Sequence, residues 1–182
     1  DSNNIIYGEA NISLNIKPSE KNVRLDLISQ SNSGNGMVVK KVLFNGNEIS
    51  YSHVNDEINI NTENVKYSSG DVITIKYSGI PITGLIIGPN MHGDRTFFSD
   101  NWPNKARNWL PLVDHPYDKS TAEFIIIAPD HYQVISNGLL VEESNLDNNL
   151  KKTHWRQSVP ISCWLYAIGV AEFAVDYVDY FE

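Results

Sequence analysis

Cysteine is nearly missing from this chain: Cys163 stands alone in 182 residues. A lone cysteine excludes an internal disulfide and with it the cysteine-stapled small scaffolds. Cys163 lies inside the apolar run Ile161–Val170, where a free thiol behaves as a small hydrophobe. Basic residues are also scarce, with 14 Lys and Arg against 22 Asp and Glu and a net charge of -8. No Lys/Arg cluster interrupts that acidity, so a surface that tracks nucleic-acid phosphates is excluded. No apolar run approaches the ~20 residues of a membrane-spanning helix. The first residues lack the charged-then-apolar order of a signal peptide. The five histidines, His53, His92, His115, His131 and His154, never stand four apart, and none precedes a glutamate. An H-E-x-x-H helix, which would place two zinc ligands on one face beside a general base, is therefore absent. So is a G-x-S-x-G nucleophile elbow. Asp94, Asp100, Asp114 and Asp118 crowd one region without the D-x-D-x-D-G order of a calcium loop.

What is present is strand patterning. Apolar residues make up 41% and charged residues 20%, the balance of a globular domain with a real core. Ala10, Ile12, Leu14 and Ile16 alternate with polar neighbours, and so do Val23, Leu25 and Leu27, which is the period of a half-buried strand. Met37–Phe44 leads into Asn45-Gly46, a pair that accepts positive φ and so favours a hairpin. Short strands follow around Ile58 and over Val72–Tyr77. Ala122–Ala128 is almost continuously apolar and predicts a central strand covered on both faces. Asn137-Gly138 is a second hairpin signal, Glu142–Asn149 reads as a polar turn, and Pro160 separates strands at Thr153–Gln157 and Ile161–Val170. Phe173–Tyr180 alternates once more. No helical period separates these segments, which predicts one antiparallel β-sandwich over 1–182. Asn11-Ile12-Ser13 is a glycosylation pattern with meaning only in a secreted chain.

The exception is the middle. Counted from Gly84, about 35 residues carry no strand period, and loops of that length are uncommon unless they work. Phe97, Phe98, Trp102, Trp109 and Leu110 supply side chains that favour burial, so an ordered loop is expected, with Trp109 and Leu110 as anchors. Pro103–Trp109 predicts one or two helical turns with Pro103 first. Asp114 is placed to pair with Arg107 and pin the loop.

This loop carries a resemblance. Arg107, Leu110-Pro111, Asp114, Pro116 and Lys119 match R-x-x-[FL]-P-x-x-D-x-P-x-x-K, a block of the aminopeptidase N family. These are zinc aminopeptidases of the gluzincin type and include the leukotriene epoxide hydrolase. The block belongs to the family's N-terminal domain. Other blocks stand around it in the family's order: Lys76–Gly79 before it, then Pro129–Gly138 and Val159–Ala167 after it, the last being similar to a P-[IM]-x-x-Y-L strand. Several spaced patterns in one order over about 170 residues are far more specific than any alone.

The resemblance implies a saddle-like N-terminal β-sandwich domain of a longer enzyme, ending before the catalytic zinc domain. It implies no cofactor in this segment and zinc in that missing domain. It implies that this domain scaffolds its own catalytic domain and meets the peptide substrate at the cleft edge. The family's cleft segment, [YF]-[ST]-Q-x-[EQ], helps hold the substrate's α-amino group and corresponds here to Phe98–Trp102. Asp100, Asn101 and Trp102 are thereby the substrate-binding candidates. Asp100 stands where the family has Gln, and its carboxylate suits an ammonium; it also fits a turn cap. Trp102 replaces a polar residue and reads either as a core aromatic or as a ring face for a cation. The alternative is a free-standing carbohydrate- or protein-binding β-sandwich, for which the same Trp, Tyr, Asn and Asp residues are suited.

Because the ligand set is missing, protein stripped with chelator and reloaded with zinc is expected to retain no stoichiometric metal. One tightly held zinc per chain, measured by elemental analysis, would contradict this.

Overall fold

Alternation of apolar and polar side chains becomes strand after strand in the computed structural model, which describes residues 3–14 and 20–176. The strands are β1 (Ile6–Ser13), β2 (Asn22–Asp26), β3 (Gly36–Phe44), β4 (Asn47–Glu48), β5 (Tyr51–Val54), β6 (Glu57–Asn61), β7 (Val72–Ile80), β8 (Leu85–Pro89), β9 (Arg95–Ser99), β10 (Lys119–Pro129), β11 (Gln133–Ser136), β12 (Leu139–Leu146), β13 (Leu150–Ser162) and β14 (Ile168–Ala171). Two single 3-10 turns, Ala106–Asn108 and Cys163–Leu165, are the helical elements among the described residues. The all-β antiparallel class expected from the patterning is the class observed. Chain contacts divide into two compact units.

The first unit takes in the described part of Asp1–Leu85 together with Asp100–Lys119 and Ser162–Leu165. It holds a sheet in the order β1-β7-β3-β4 and another in the order β2-β6-β5. Ile73 and Ile75 of β7 lie opposite Ile12 and Ala10 on one side and Phe44 and Val42 on the other. Leu25 and Val23 lie opposite Ile58 and Ile60. These inward positions, with Leu27 and Met37, form the core; Leu27, Met37, Ile58, Ile60 and Ile75 are 0% exposed. Each such side chain contributes about 1.5–3 kcal/mol relative to leaving it in water. Tyr51 of β5 donates its hydroxyl hydrogen to the Val39 carbonyl of β3 at 3.3 Å, a polar link between the two sheets. The hairpin signal at Asn45-Gly46 is realised: both residues adopt positive φ, 46° and 82°, and β3 turns directly into β4.

The second unit takes in Ile86–Ser99, Ser120–Ile161 and the described part of Tyr166–Glu182. Its sheets run β11-β14-β9-β8 and β10-β13-β12. Here the patterning misleads in several places. The apolar run of β10 does not sit centrally: β10 stands at the end of its sheet, and Ile125 and Ile127 are each 58% exposed. Glu123 on the same face pairs with His154 and Arg156 of β13 at 2.7 and 3.0 Å. Runs of β-branched residues report strand propensity, while layering decides burial. Asn137-Gly138 does not close a hairpin either, because β11 pairs with β14 and β12 with β13. It is a corner between sheets, where Gly138 has φ 85° and a Cβ would come 2.0 Å from the Arg156 carbonyl. Glu142–Asn149 is mostly strand, with the turn confined to Asp147–Asn149. Pro160 lies inside β13, beyond Arg156, where the register with β12 ends and its missing N–H costs no ladder bond on that side. The run Ile161–Val170 is broken by the 3-10 turn at Cys163–Leu165. Phe173–Asp176 forms no strand; the rest of that expected strand, and Ile16, lie outside the described residues.

The long middle loop is shorter than its sequence suggests. β8 and β9 occupy its first part, joined by a turn in which Asn90 Oδ1 accepts from the backbone N–H of His92 and Asp94. Gly88-Pro89 and the five-residue strand length hide their alternation. What remains without regular structure starts at Asp100. Ser99, at the end of β9, accepts from the Ile168 N–H at 2.7 Å and donates to the Tyr166 carbonyl at 3.3 Å, which holds the chain where it leaves the strand.

One acid group locks the first unit's hairpin. Asp71 is 2% exposed and accepts from Asn45 Nδ2 at 2.9 Å, Ser68 N at 2.8 Å and Ser68 Oγ at 2.7 Å. These bonds, the Asn45 amide first, hold its carboxyl below the usual aspartate value of 3.8. A lowered folded pKa means the contribution is complete above the unfolded value and is lost as pH falls through the folded one. Thermal melts from neutral pH to below 3.8 are expected to show the wild type losing a stabilisation that Asp71→Asn lacks throughout. Parallel pH curves for the two proteins would refute the assignment.

Candidate functional site

The segment Asp100–Trp109 is shaped by backbone contacts that a side chain at Gly84 would forbid. The Asp100 N–H donates to the Gly84 carbonyl at 2.8 Å. Gly84 has φ 77°, and a Cβ there would come 2.2 Å from the Lys105 carbonyl oxygen and 3.1 Å from Trp109 Cδ1. Only glycine supplies both the left-handed conformation and the close approach. The Trp102–Pro103 peptide is cis, and Asn104 has φ 57°. The Lys105 N–H returns to the Asn101 carbonyl at 2.9 Å. The helix expected from Pro103 onward is in fact this turn followed by the single 3-10 turn Ala106–Asn108. Trp109 then buries its ring, 4% exposed, beside Ala106 at 0%. Its indole N–H donates to Asn101 Oδ1 at 2.9 Å.

The three sequence candidates are consecutive but face different surroundings. Asp100 keeps 53% of its side chain exposed and bonds Lys105 Nζ through Oδ2 at 2.6 Å. It also accepts from the Trp102 N–H, as a turn cap does. The Lys105 bond above all holds its carboxyl below the usual aspartate range. Asn101 is 2% exposed and directs its amide oxygen inward to Trp109. Trp102 is 62% exposed, which removes the core-aromatic alternative, and its ring meets Trp164 edge-on with centroids 6.4 Å apart. Lys105, Trp164 and Gly84 were not singled out by sequence. Lys105 stands five residues from Asp100, a spacing that brings side chains together only through this particular turn.

Below this surface lies the expected ion pair, with more members than predicted. Asp114 has 0% side-chain exposure, and Arg107 Nε donates to its Oδ2 at 3.1 Å. The Arg107 backbone N–H reaches the same oxygen at 3.2 Å. Arg107 Nη1 lies 3.4 Å from Asp26 Oδ1, and the Asp114 N–H donates to Asp26 Oδ2 at 2.8 Å. Backbone bonds between Asp26 and Leu112 and from Ile28 N to Arg107 O attach the loop to the end of β2. Cys163 Sγ lies 3.5 Å from Asp114 Oδ1. Burial first, then the adjacent carboxylate, push its thiol up to about 11, so it remains an inert thiol at neutral pH.

Among the described residues, no three His, Cys, Asp or Glu side chains gather as metal ligands would. His53 bonds the Leu27 carbonyl, His115 Nδ1 accepts from the Tyr117 N–H, and His154 pairs with Glu123. A shallow depression of about 410 Å³ lies elsewhere in the first unit, lined by Tyr7, Glu9, Lys40 and Lys76 among others. The exposed loop presents a carboxylate, an ammonium and an indole; these can bind charged and apolar groups.

Removing the guanidinium by Arg107→Met would strand the buried Asp114 carboxylate, at an expected cost of about 3–5 kcal/mol. Trp109→Ala should cost about 3–5 kcal/mol through the cavity it leaves. Urea denaturation checks both; an unchanged midpoint in either variant would show that the loop is anchored elsewhere.

The model for the Peptidase M1 N-terminal domain matches residues 1–165. Glutamyl aminopeptidase of Rattus norvegicus is 36% identical over 75 residues, covering 41% of this chain and 8% of its own length. Glutamyl aminopeptidase of Homo sapiens is 28% identical over 121 residues, covering 61% of this chain and 12% of its own. The chain thus spans about a tenth of the length of these curated relatives. An M1 zinc metallopeptidase from Deinococcus radiodurans superposes with a TM-score of 0.76 at 19% identity, over 91% of this chain and 37% of that one. Native yeast LTA4 hydrolase superposes with a TM-score of 0.74 at 21% identity, over 93% and 26%. The structural likeness speaks for the fold; the match along residues 1–165 goes further, and by it the chain belongs to the Peptidase M1 N-terminal domain family.

Proposed function

We propose that residues 1–182 form the non-catalytic N-terminal domain of a longer zinc metallo-aminopeptidase that removes amino-terminal residues from peptides. The domain scaffolds its own catalytic domain and lends Asp100–Trp102 to the edge of the cleft. The zinc belongs to that catalytic domain, where such an ion activates water and polarises the scissile carbonyl. The observation that carries this reading is the family match, together with a loop whose interior is locked while Asp100 and Trp102 remain exposed. Asp100 would accept hydrogen bonds from the substrate's ammonium, a charge-assisted contact roughly twice as strong as a neutral one. Trp102 would offer its ring face to the same cation. Asn101 would act as a positioning residue through Trp109. The relatives' name, glutamyl aminopeptidase, brings an acidic first residue forward as the substrate class to test. The rival function, a carbohydrate-binding module, draws on the exposed Trp102.

The full-length protein is expected to hydrolyse aminoacyl p-nitroanilides, to lose that activity with chelator and to regain it with zinc. Full-length protein without such activity, beside an isolated domain that binds glycans in calorimetry, would favour the rival. Asp100→Asn in the full-length protein is expected to lower kcat/KM about ten- to hundredfold with little change in Tm. Unchanged kinetics would remove Asp100 from the cleft.

A further inference from the structure

We infer that Lys105 is a specificity-determining residue, which reads the side chain of the substrate's first residue and favours a carboxylate there. This inference rests on the cleft role proposed for Asp100. Lys105 Nζ lies 2.6 Å from Asp100 Oδ2, with 32% and 53% of the two side chains exposed. An ion pair this open to solvent contributes little to stability. The loop nevertheless fixes the Lys105 backbone from both sides. Its N–H donates to the Asn101 carbonyl at 2.9 Å. Its own carbonyl accepts from Asn108 N and from Asn108 Nδ2, both at 3.0 Å. Asn108 is 7% exposed, so a buried amide is committed to holding Lys105. Gly84 allows its backbone to approach that same carbonyl, where a Cβ would come within 2.2 Å. The fold thus places an ammonium beside a carboxylate at the one surface where Asp100 and Trp102 are presented.

The chemistry of an acidic amino-terminal residue complements this pair. Such a residue carries an ammonium on Cα and a carboxylate one or two methylenes further out. Asp100 offers the carboxylate for the first, and Lys105 offers the ammonium for the second. Substrate and protein charges then exchange partners, and all four remain paired. A neutral side chain would take Asp100 and leave Lys105 without its partner. A basic side chain would bring a like charge against Lys105, which discriminates by repulsion. The order of preference that follows is acidic, then neutral, then basic.

The test uses the full-length, zinc-loaded enzyme with glutamyl, aspartyl, alanyl and lysyl p-nitroanilides, measuring kcat and KM separately. The wild type is expected to favour glutamyl over alanyl substrate. Lys105→Met is expected to lower the glutamyl-to-alanyl ratio of kcat/KM about ten- to hundredfold, the size of a lost charge-assisted contact. Lys105→Arg keeps the charge and should keep the ratio, while Lys105→Glu should favour the lysyl substrate. Melting temperatures of the variants should stay near that of the wild type. Asp100→Asn, by contrast, should weaken all four substrates. An active enzyme whose ratio is indifferent to Lys105→Met, or whose wild type prefers alanyl substrate, overturns the inference and leaves the aminopeptidase reading standing. A full-length protein that hydrolyses none of the four overturns that reading itself, and this inference with it.

Discussion

A fully buried carboxylate, Asp114, governs the working loop. A charge with 0% side-chain exposure is stable only with a partner and with its remaining lone pairs satisfied. Arg107 supplies two donors to one oxygen, its side chain and its own backbone. The Cys163 thiol stands at the other. Asp26 completes the arrangement by accepting from the Asp114 N–H and facing the guanidinium. Three chain segments meet there: the end of β2, the loop and the 3-10 turn after β13. Backbone bonds from Ile28 and Asp26 extend the attachment. A loop without strand or sustained helix thereby obtains the rigidity that regular structure would otherwise give.

Above this locked interior, side chains of the same loop reach solvent. Along Asp100-Asn101-Trp102 the side chains alternate between solvent and interior. Asn101 turns inward to the Trp109 indole, so its neighbours are turned outward. The same turn carries Lys105 back to Asp100. The backbone here is fixed while the side-chain tips of Asp100 and Trp102 stay open to solvent, the distribution that the proposed cleft role requires. The indole of Trp102 rests edge-on against Trp164, which limits the cost of leaving so large an apolar group in water.

Much of the fold was legible, because a strand with one covered face must alternate. Ile73 and Ile75, Ile58 and Ile60, and the Asn45-Gly46 turn are where the pattern places them. The legibility ends where burial depends on a neighbour rather than on period. Ile125 and Ile127 belong to an apolar run and yet face solvent. Between Val141 and Leu146 the strand β12 carries no apolar residue, so this part of it reads as polar turn. Its Glu142 and Glu143 are nevertheless tied to Lys152 and Lys151 of β13. β8 and β9 are too short, and too interrupted by Gly88 and Pro89, to show a period.

The candidate site divides in the same way. The residue order by itself determined the class of the fold, the place of the unusual loop, the Arg107–Asp114 pair and the family to which the chain belongs. These depend on composition, on spacing and on blocks that lie along the chain. Only the tertiary structure decided which candidates reach solvent. It sends Asn101 inward, Trp102 outward and Lys105 against Asp100, because a turn through Asn104 and a close approach at Gly84 bring together atoms that no linear period relates.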